Sequence, residues 1–209
     1  MFDDRHDAGR RLAERLRAEE VSVNLVLAIP RGGLPVGREV ADAFEVPLDV
    51  VAAKKIGAPH NPELAIGAVA ADGSVWRNDD LIRQLGVDEA YVETEGDRSK
   101  SVAEDKERTY RSGRDPPDLS DRHVAVVDDG VATGATMRAC LRAVRERGAA
   151  SVVVAVPVGA AGTVEQLRAE ADVVVVVDAP VSFGAVGAHY RNFSQVSDEE
   201  AMAYLETER

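Results

Sequence analysis

The run Val126-Val127-Asp128-Asp129-Gly130-Val131-Ala132-Thr133-Gly134-Ala135-Thr136 constrains this chain more than any other segment. Residues 124–127 read as an apolar strand. Two acids follow, then a turn of small and hydroxyl residues, then a helix starting near Thr136. In open α/β sheets ligands bind outside the carboxyl ends of strands, where this acid pair falls. The Thr-Gly-Ala-Thr turn lies at a helix N-terminus, where free N–H groups and the helix dipole favour a phosphate. Carboxylates beside a phosphate cradle repel the anion unless they hold something else. Sugar hydroxyls are the first candidate and a divalent metal the second, so a phosphorylated sugar suits both halves. A Walker A loop is absent, and the turn carries no Gly-x-Gly-x-x-Gly fingerprint.

The rest of the chain reads as the same kind of architecture. A chain of 209 residues is expected to form one domain over 1–209 with a full core. That core is built from Val, Ala, Leu and Ile, since aromatics are only 4%, and small β-branched residues suit a parallel sheet buried on both faces. Helices are expected near 7–20, 36–44, 78–85, 89–110, 136–147, 163–170 and 198–205. Strands are expected at 25–29, 47–53, 64–70, 124–127, 151–156 and 173–177, with a tight turn at Asp72-Gly73. The β-α alternation predicts an α/β fold with a central, mostly parallel sheet and helices on both faces. The helix over 89–110 is so charged that it is expected to be peripheral or partly exposed, and it is a candidate contact for a homodimer. Ser197 and Glu200 form a capping box for the last helix.

The net charge of −12 disfavours nucleic acid or an anionic membrane surface as partner. The longest apolar run, 173–177, is too short to span a bilayer. The N-terminus Met-Phe-Asp-Asp-Arg-His has no signal-peptide core, and the single Cys140 cannot form an internal disulfide, so a cytoplasmic location is expected. Cys140 reads as a small buried hydrophobe, and Trp76 and Tyr91 as packing residues.

The run 126–136 resembles the 5-phosphoribosyl-1-pyrophosphate (PRPP) signature of the type I phosphoribosyltransferases. Pro30-Arg31-Gly32-Gly33, at a second strand-to-helix junction, resembles that family's short pyrophosphate loop. The resemblance extends from there to Phe193-Ser194-Gln195-Val196-Ser197-Asp198 and is similar to a group of stand-alone phosphoribosyltransferase-domain proteins. It implies transfer of the 5-phosphoribosyl group from PRPP to a small-molecule acceptor, a nitrogen of a nucleobase, within nucleotide metabolism. Asp128 and Asp129 would hold the ribose hydroxyls, and Ala132, Thr133, Gly134, Ala135 and Thr136 the 5′-phosphate. Gly32 and Gly33 amides, Arg31 and one of Lys54 or Lys55 would stabilise the leaving pyrophosphate. Mg²⁺ would be held mainly by PRPP, with Asp128 and Asp129 reaching it through water.

The lysine pair is expected to end the strand over 47–53, with residues 56–63 as a Gly- and Pro-rich lid. His60 in that lid reads as a solvated loop histidine rather than a general base. The tail over 180–195 resembles the family's hood, where Phe183, Tyr190 or Phe193 would either stack on an acceptor base or pack the hood's own core. At the position where hypoxanthine-guanine-type members carry an acid, this chain has Ala132. Two alternatives share the cradle: a non-catalytic PRPP sensor, and a hydrolase with water as acceptor.

Overall fold

A computed structural model describes residues 1–206. Its centre is a five-stranded parallel sheet in the order β2-β1-β6-β7-β8. These are β1 (Leu25–Ala28), β2 (Leu48–Val50), β6 (His123–Val127), β7 (Ser151–Val158) and β8 (Val173–Asp178). Both faces are covered, and the strands sort their side chains by alternation. Val26, Ala125, Val127, Val153 and Ala155 face α1 (Arg5–Ala18) and α2 (Gly33–Phe44), against Leu12, Leu16, Val36 and Val40. Leu25, Leu27, Val124, Val126, Val152 and Val154 face α5 (Ala135–Glu146), against Met137, Cys140, Leu141 and Val144. Each such side chain contributes roughly 1.5–3 kcal/mol by leaving water. A short α6 (Ala161–Leu167) joins β7 to β8.

The strand order puts a topological switch point between β1 and β6. The chain leaves β1 for β2 on one side and later returns to β6 on the other. The carboxyl ends of these neighbours register as Ala28 with Val127. Pro30-Arg31 and Asp128-Asp129 therefore issue side by side into one crevice.

Between β2 and α5 the chain departs from the expected pattern. The expected strand over 47–53 is two strands in different sheets. β2 stops at Val50, and β3 (Ala53–Ala58) starts a separate antiparallel sheet with β4 (Asn61–Ala70) and β5 (Val75–Arg77). Lys54 and Lys55 lie inside β3 rather than at the end of a core strand. The expected lid over 56–63 is the β3–β4 hairpin, with Ala58 opposite Asn61 and exposed His60 in the turn. The turn at Asp72-Gly73 is present, with Gly73 at φ +95°; glycine alone adopts this freely.

Two further helices follow, α3 (Asp79–Leu85) and α4 (Glu89–Arg111). The helix expected over 89–110 as peripheral or partly exposed is partly exposed, with Val92, Ser99, Ala103 and Tyr110 buried, and it runs one residue further into a buried end. There the Arg111 side chain, 7% exposed, pairs with Asp49 at 3.1 Å and donates to the Val50 carbonyl at 2.7 Å. Glu107 accepts from the Ala52 amide at 2.9 Å. These charges pin α4 onto the end of β2 instead of facing solvent.

Residues 180–195 contain one 3₁₀ turn (Val186–His189) and lead to α7 (Asp198–Glu206). The capping box forms as expected: Glu200 N donates to Ser197 Oγ at 3.1 Å and Ser197 N to Glu200 Oε2 at 2.8 Å. No helix among the described residues is long and apolar enough to cross a membrane.

Candidate functional site

The site is built where β6 ends. Asp128 Oδ1 accepts the Asp129 amide at 2.9 Å. Burial, reinforced by the Asp129 charge, pushes the Asp128 carboxyl well above the ordinary carboxylate range. Burial also raises Asp129, against the opposing pull of Arg5. Arg5 Nε lies 2.8 Å from Asp129 Oδ2, and the two side chains are 11% and 14% exposed. The Arg5 guanidinium also donates to the Ser194 carbonyl at 2.8 Å and lies over the Phe193 ring, 3.9 Å from its centroid. Sequence reasoning missed Arg5, because the contact spans 124 residues and no local pattern marks it.

The Pro30-Arg31-Gly32-Gly33 loop closes onto this pair, and its Pro30–Arg31 peptide is cis. A Cβ on Gly32 would lie 2.0 Å from Asp129 Oδ2, and one on Gly33 2.7 Å from the Val127 carbonyl oxygen. Only glycines let the two strand ends touch. α2 starts at Gly33 with no side-chain cap and no acid in its own first turn, so its positive end faces the crevice and the acid pair. Arg31 stands at the rim, 3.6 Å from Asp198 at the start of α7.

The register of β3 separates the two lysines. Lys55 pairs with Ala68, a residue of the α5-side core, and Lys54 with Val69 of the cluster under α4. The charge of Lys55 reaches Asp128, whereas Lys54 acts on Lys106 of α4. Lys55 is thus the lysine on the acid-pair side.

Beyond Asp129, residues 130–134 wrap into α5. Val131 is anchored by its amide to the Val158 carbonyl at 2.9 Å, and its own carbonyl accepts from Ala160 at 2.9 Å. Gly134, at φ +78°, is the N-cap of α5 and offers no side-chain cap. Ala132 and Thr133 are exposed, and the amides of Ala132, Thr133 and Gly134 meet no acceptor among the described residues. A 12-residue helix with an uncapped, acid-free N-terminus leaves its first donors open to an anion.

The hood is shared between the two chain termini. Phe2 bridges to Tyr190, with Phe2 N donating to the His189 carbonyl at 2.8 Å. Of the two roles open to the aromatics, Tyr190 takes packing. It is 6% exposed, sits between Phe2 and Phe193, and its hydroxyl donates to the Asp129 carbonyl at 2.5 Å. A stacking role for Tyr190 is therefore replaced by a positioning one. Phe183 is only half-buried and lies nearly parallel to His189, with centroids 5.2 Å apart. Phe193 is 36% exposed.

Other singled-out residues lie away from this chemistry. Trp76 packs in the core, and Tyr91 donates to the Gly57 carbonyl at 3.0 Å. Cys140 is buried under α5, and burial pushes its thiol up, so no reactive thiolate forms.

Comparison with known proteins agrees with this geometry. The family model described as "Phosphoribosyl transferase domain" matches residues 3–191. The "Putative phosphoribosyl transferase MT0597" of Mycobacterium tuberculosis (strain CDC 1551 / Oshkosh) is 43% identical over 206 residues, 99% of this chain. Its counterpart Rv0571c from strain ATCC 25618 / H37Rv is equally similar. The chain spans about half the length of these relatives, 46%. Among solved structures, TT1426 from Thermus thermophilus is 43% identical with a TM-score of 0.83, covering 98% of this chain and 97% of that one.

Proposed function

The chain belongs to the phosphoribosyl transferase domain family, and from that premise we propose that it transfers the 5-phosphoribosyl group of PRPP to a nitrogen acceptor, a nucleobase. One observation carries the reading. The acid pair, the glycine loop and the uncapped start of α5 meet at a single switch point, with Gly32 so close to Asp129 that a Cβ would overlap its carboxylate.

In this reading Asp128 and Asp129 accept hydrogen bonds from the ribose hydroxyls. The amides of 132–136 and the Thr133 and Thr136 hydroxyls hold the 5′-phosphate. The bond from the anomeric carbon to pyrophosphate breaks with its electron pair, which leaves on the pyrophosphate oxygen. The lone pair of the acceptor nitrogen forms the new C–N bond, and the acceptor proton passes to solvent. Arg31, Lys55 and the Gly32 and Gly33 amides neutralise the charge growing on the leaving group, so the contribution of the protein is positioning and electrostatics.

The two hard carboxylate oxygens suit Mg²⁺. When bound, Mg²⁺ supplies further neutralisation of the pyrophosphate, with Asp128 and Asp129 the residues within reach through water. Phe183 and Phe193 are the hood aromatics open enough to meet a planar acceptor. A single buried, unpaired cysteine fits work in a reducing cytoplasm.

The test is exchange of labelled pyrophosphate into PRPP across a panel of nucleobases with Mg²⁺. Base-dependent exchange supports the transferase. PRPP uptake without exchange for any base points to a sensor on the same fold, and pyrophosphate release without a base points to hydrolysis.

A further inference from the structure

Only four of the 25 cationic side chains are lysines; Lys55 and Lys106 act on Asp128, and Lys54 acts on Lys106. None of these three has an ion-pair partner among the described residues. Most neighbouring arginines do, in a chain of net charge −12 where counter-ions are plentiful. Lys106 is the least expected of the three. It stands on α4, outside every segment that resembles a PRPP motif, and is half-buried. It lines a cleft of about 370 Å³ with Arg31, Thr109, Tyr110 and Asp198.

Burial and the like charges of Lys54 and Arg31 oppose protonation of Lys106. The two acids of the cleft are already engaged. Asp105 pairs with Arg108 at 2.8 Å. Asp198 faces Arg31 at 3.6 Å and accepts the Tyr110 hydroxyl at 2.5 Å. Cations from a loop, a strand and a helix are thus brought together, and the pull of Asp198 and Asp128 on Lys106 is outweighed by burial and like charge. Such an arrangement is costly unless a polyanion fills it.

We infer that Lys106 forms the outer wall of the pyrophosphate subsite and contacts the leaving group directly. This rests on the phosphoribosyl reading and adds to it. Lys55 serves the crevice side, whereas Lys106 holds the far phosphate across the 370 Å³ cleft that it lines with Arg31. The subsite is therefore completed by α4, and the helix contributes chemistry as well as packing.

Calorimetry on the full chain tests it with three probes in Mg²⁺: inorganic pyrophosphate, PRPP and ribose 5-phosphate. Lys106→Met should weaken pyrophosphate and PRPP by about tenfold or more while ribose 5-phosphate stays within about twofold. Lys106→Arg should restore most of the loss, which a purely structural role would not predict. Equal affinity of the wild type and Lys106→Met for pyrophosphate overturns the inference and leaves the transferase reading intact. A parallel loss for all three probes, unrescued by arginine, also overturns it. If the wild type takes up pyrophosphate through Lys106 but ignores PRPP, the subsite stands and the transferase reading falls.

Discussion

Asp128 shows at the residue scale how this site sets binding against stability. Its carboxyl is held above the ordinary range by burial and by Asp129, so the folded state keeps the proton more tightly than the unfolded chain. Stability is then lost as pH rises from the ordinary carboxylate range through the raised folded value. Asp128→Asn keeps the oxygen that accepts from Asp129 and removes the buried charge. Thermal melts should show the variant more stable than wild type at pH 7, by on the order of 1 kcal/mol, with the difference closing in acid. A variant less stable at pH 7 would contradict this. Asp129→Asn behaves differently. From sequence it is expected to weaken PRPP binding with little loss of fold, but the ion pair with Arg5 at 2.8 Å adds a structural cost. Gly32→Ala must displace Asp129, whose Oδ2 would lie 2.0 Å from the new Cβ. Steady-state kinetics should show turnover reduced about a hundredfold.

Elements explain what the sequence disclosed and what it hid. β6, its acids and the start of α5 were legible because strand, turn and helix are consecutive, and each residue type has a local reason. Val126 is fully buried between Leu27 and Val154. Val126→Asp should cost about 3–5 kcal/mol or more and leave the chain unfolded by circular dichroism. The β2–β3 boundary was not legible. Residues 51 and 52 pass from one sheet to the other with no Gly or Pro to mark the change, and the apolar run reads through. The partly exposed character of α4 was legible, but its anchoring was not, because Arg111 pairs with Asp49, far away in sequence. α7 carries a regulating contact of the same long-range kind. Asp198 faces Arg31, so Asp198→Asn should raise pyrophosphate affinity about two- to fivefold in a titration. Unchanged or weaker affinity would show that Asp198 does not compete for Arg31.

Across the whole molecule, the parallel sheet does the positioning. Its order leaves one switch point, and the motifs that looked separate in the sequence, Pro30–Gly33 and Asp128–Thr136, share it. The contributions of Phe2 and Arg5 could not be read beforehand, since only the closed fold brings the first residues onto Asp129 and Tyr190. The chain is acidic overall, yet Lys55 and Lys106 act on Asp128 at this crevice; in the proposed reading that local contrast favours a small polyanion over nucleic acid. The most direct test of one phosphoribosyl site built at one switch point is calorimetric titration of the intact chain with PRPP in Mg²⁺. The account predicts saturable uptake of one PRPP per chain, abolished in Asp128→Asn although that variant melts higher. Absence of saturable heat with the wild type, or undiminished uptake by Asp128→Asn, would contradict it.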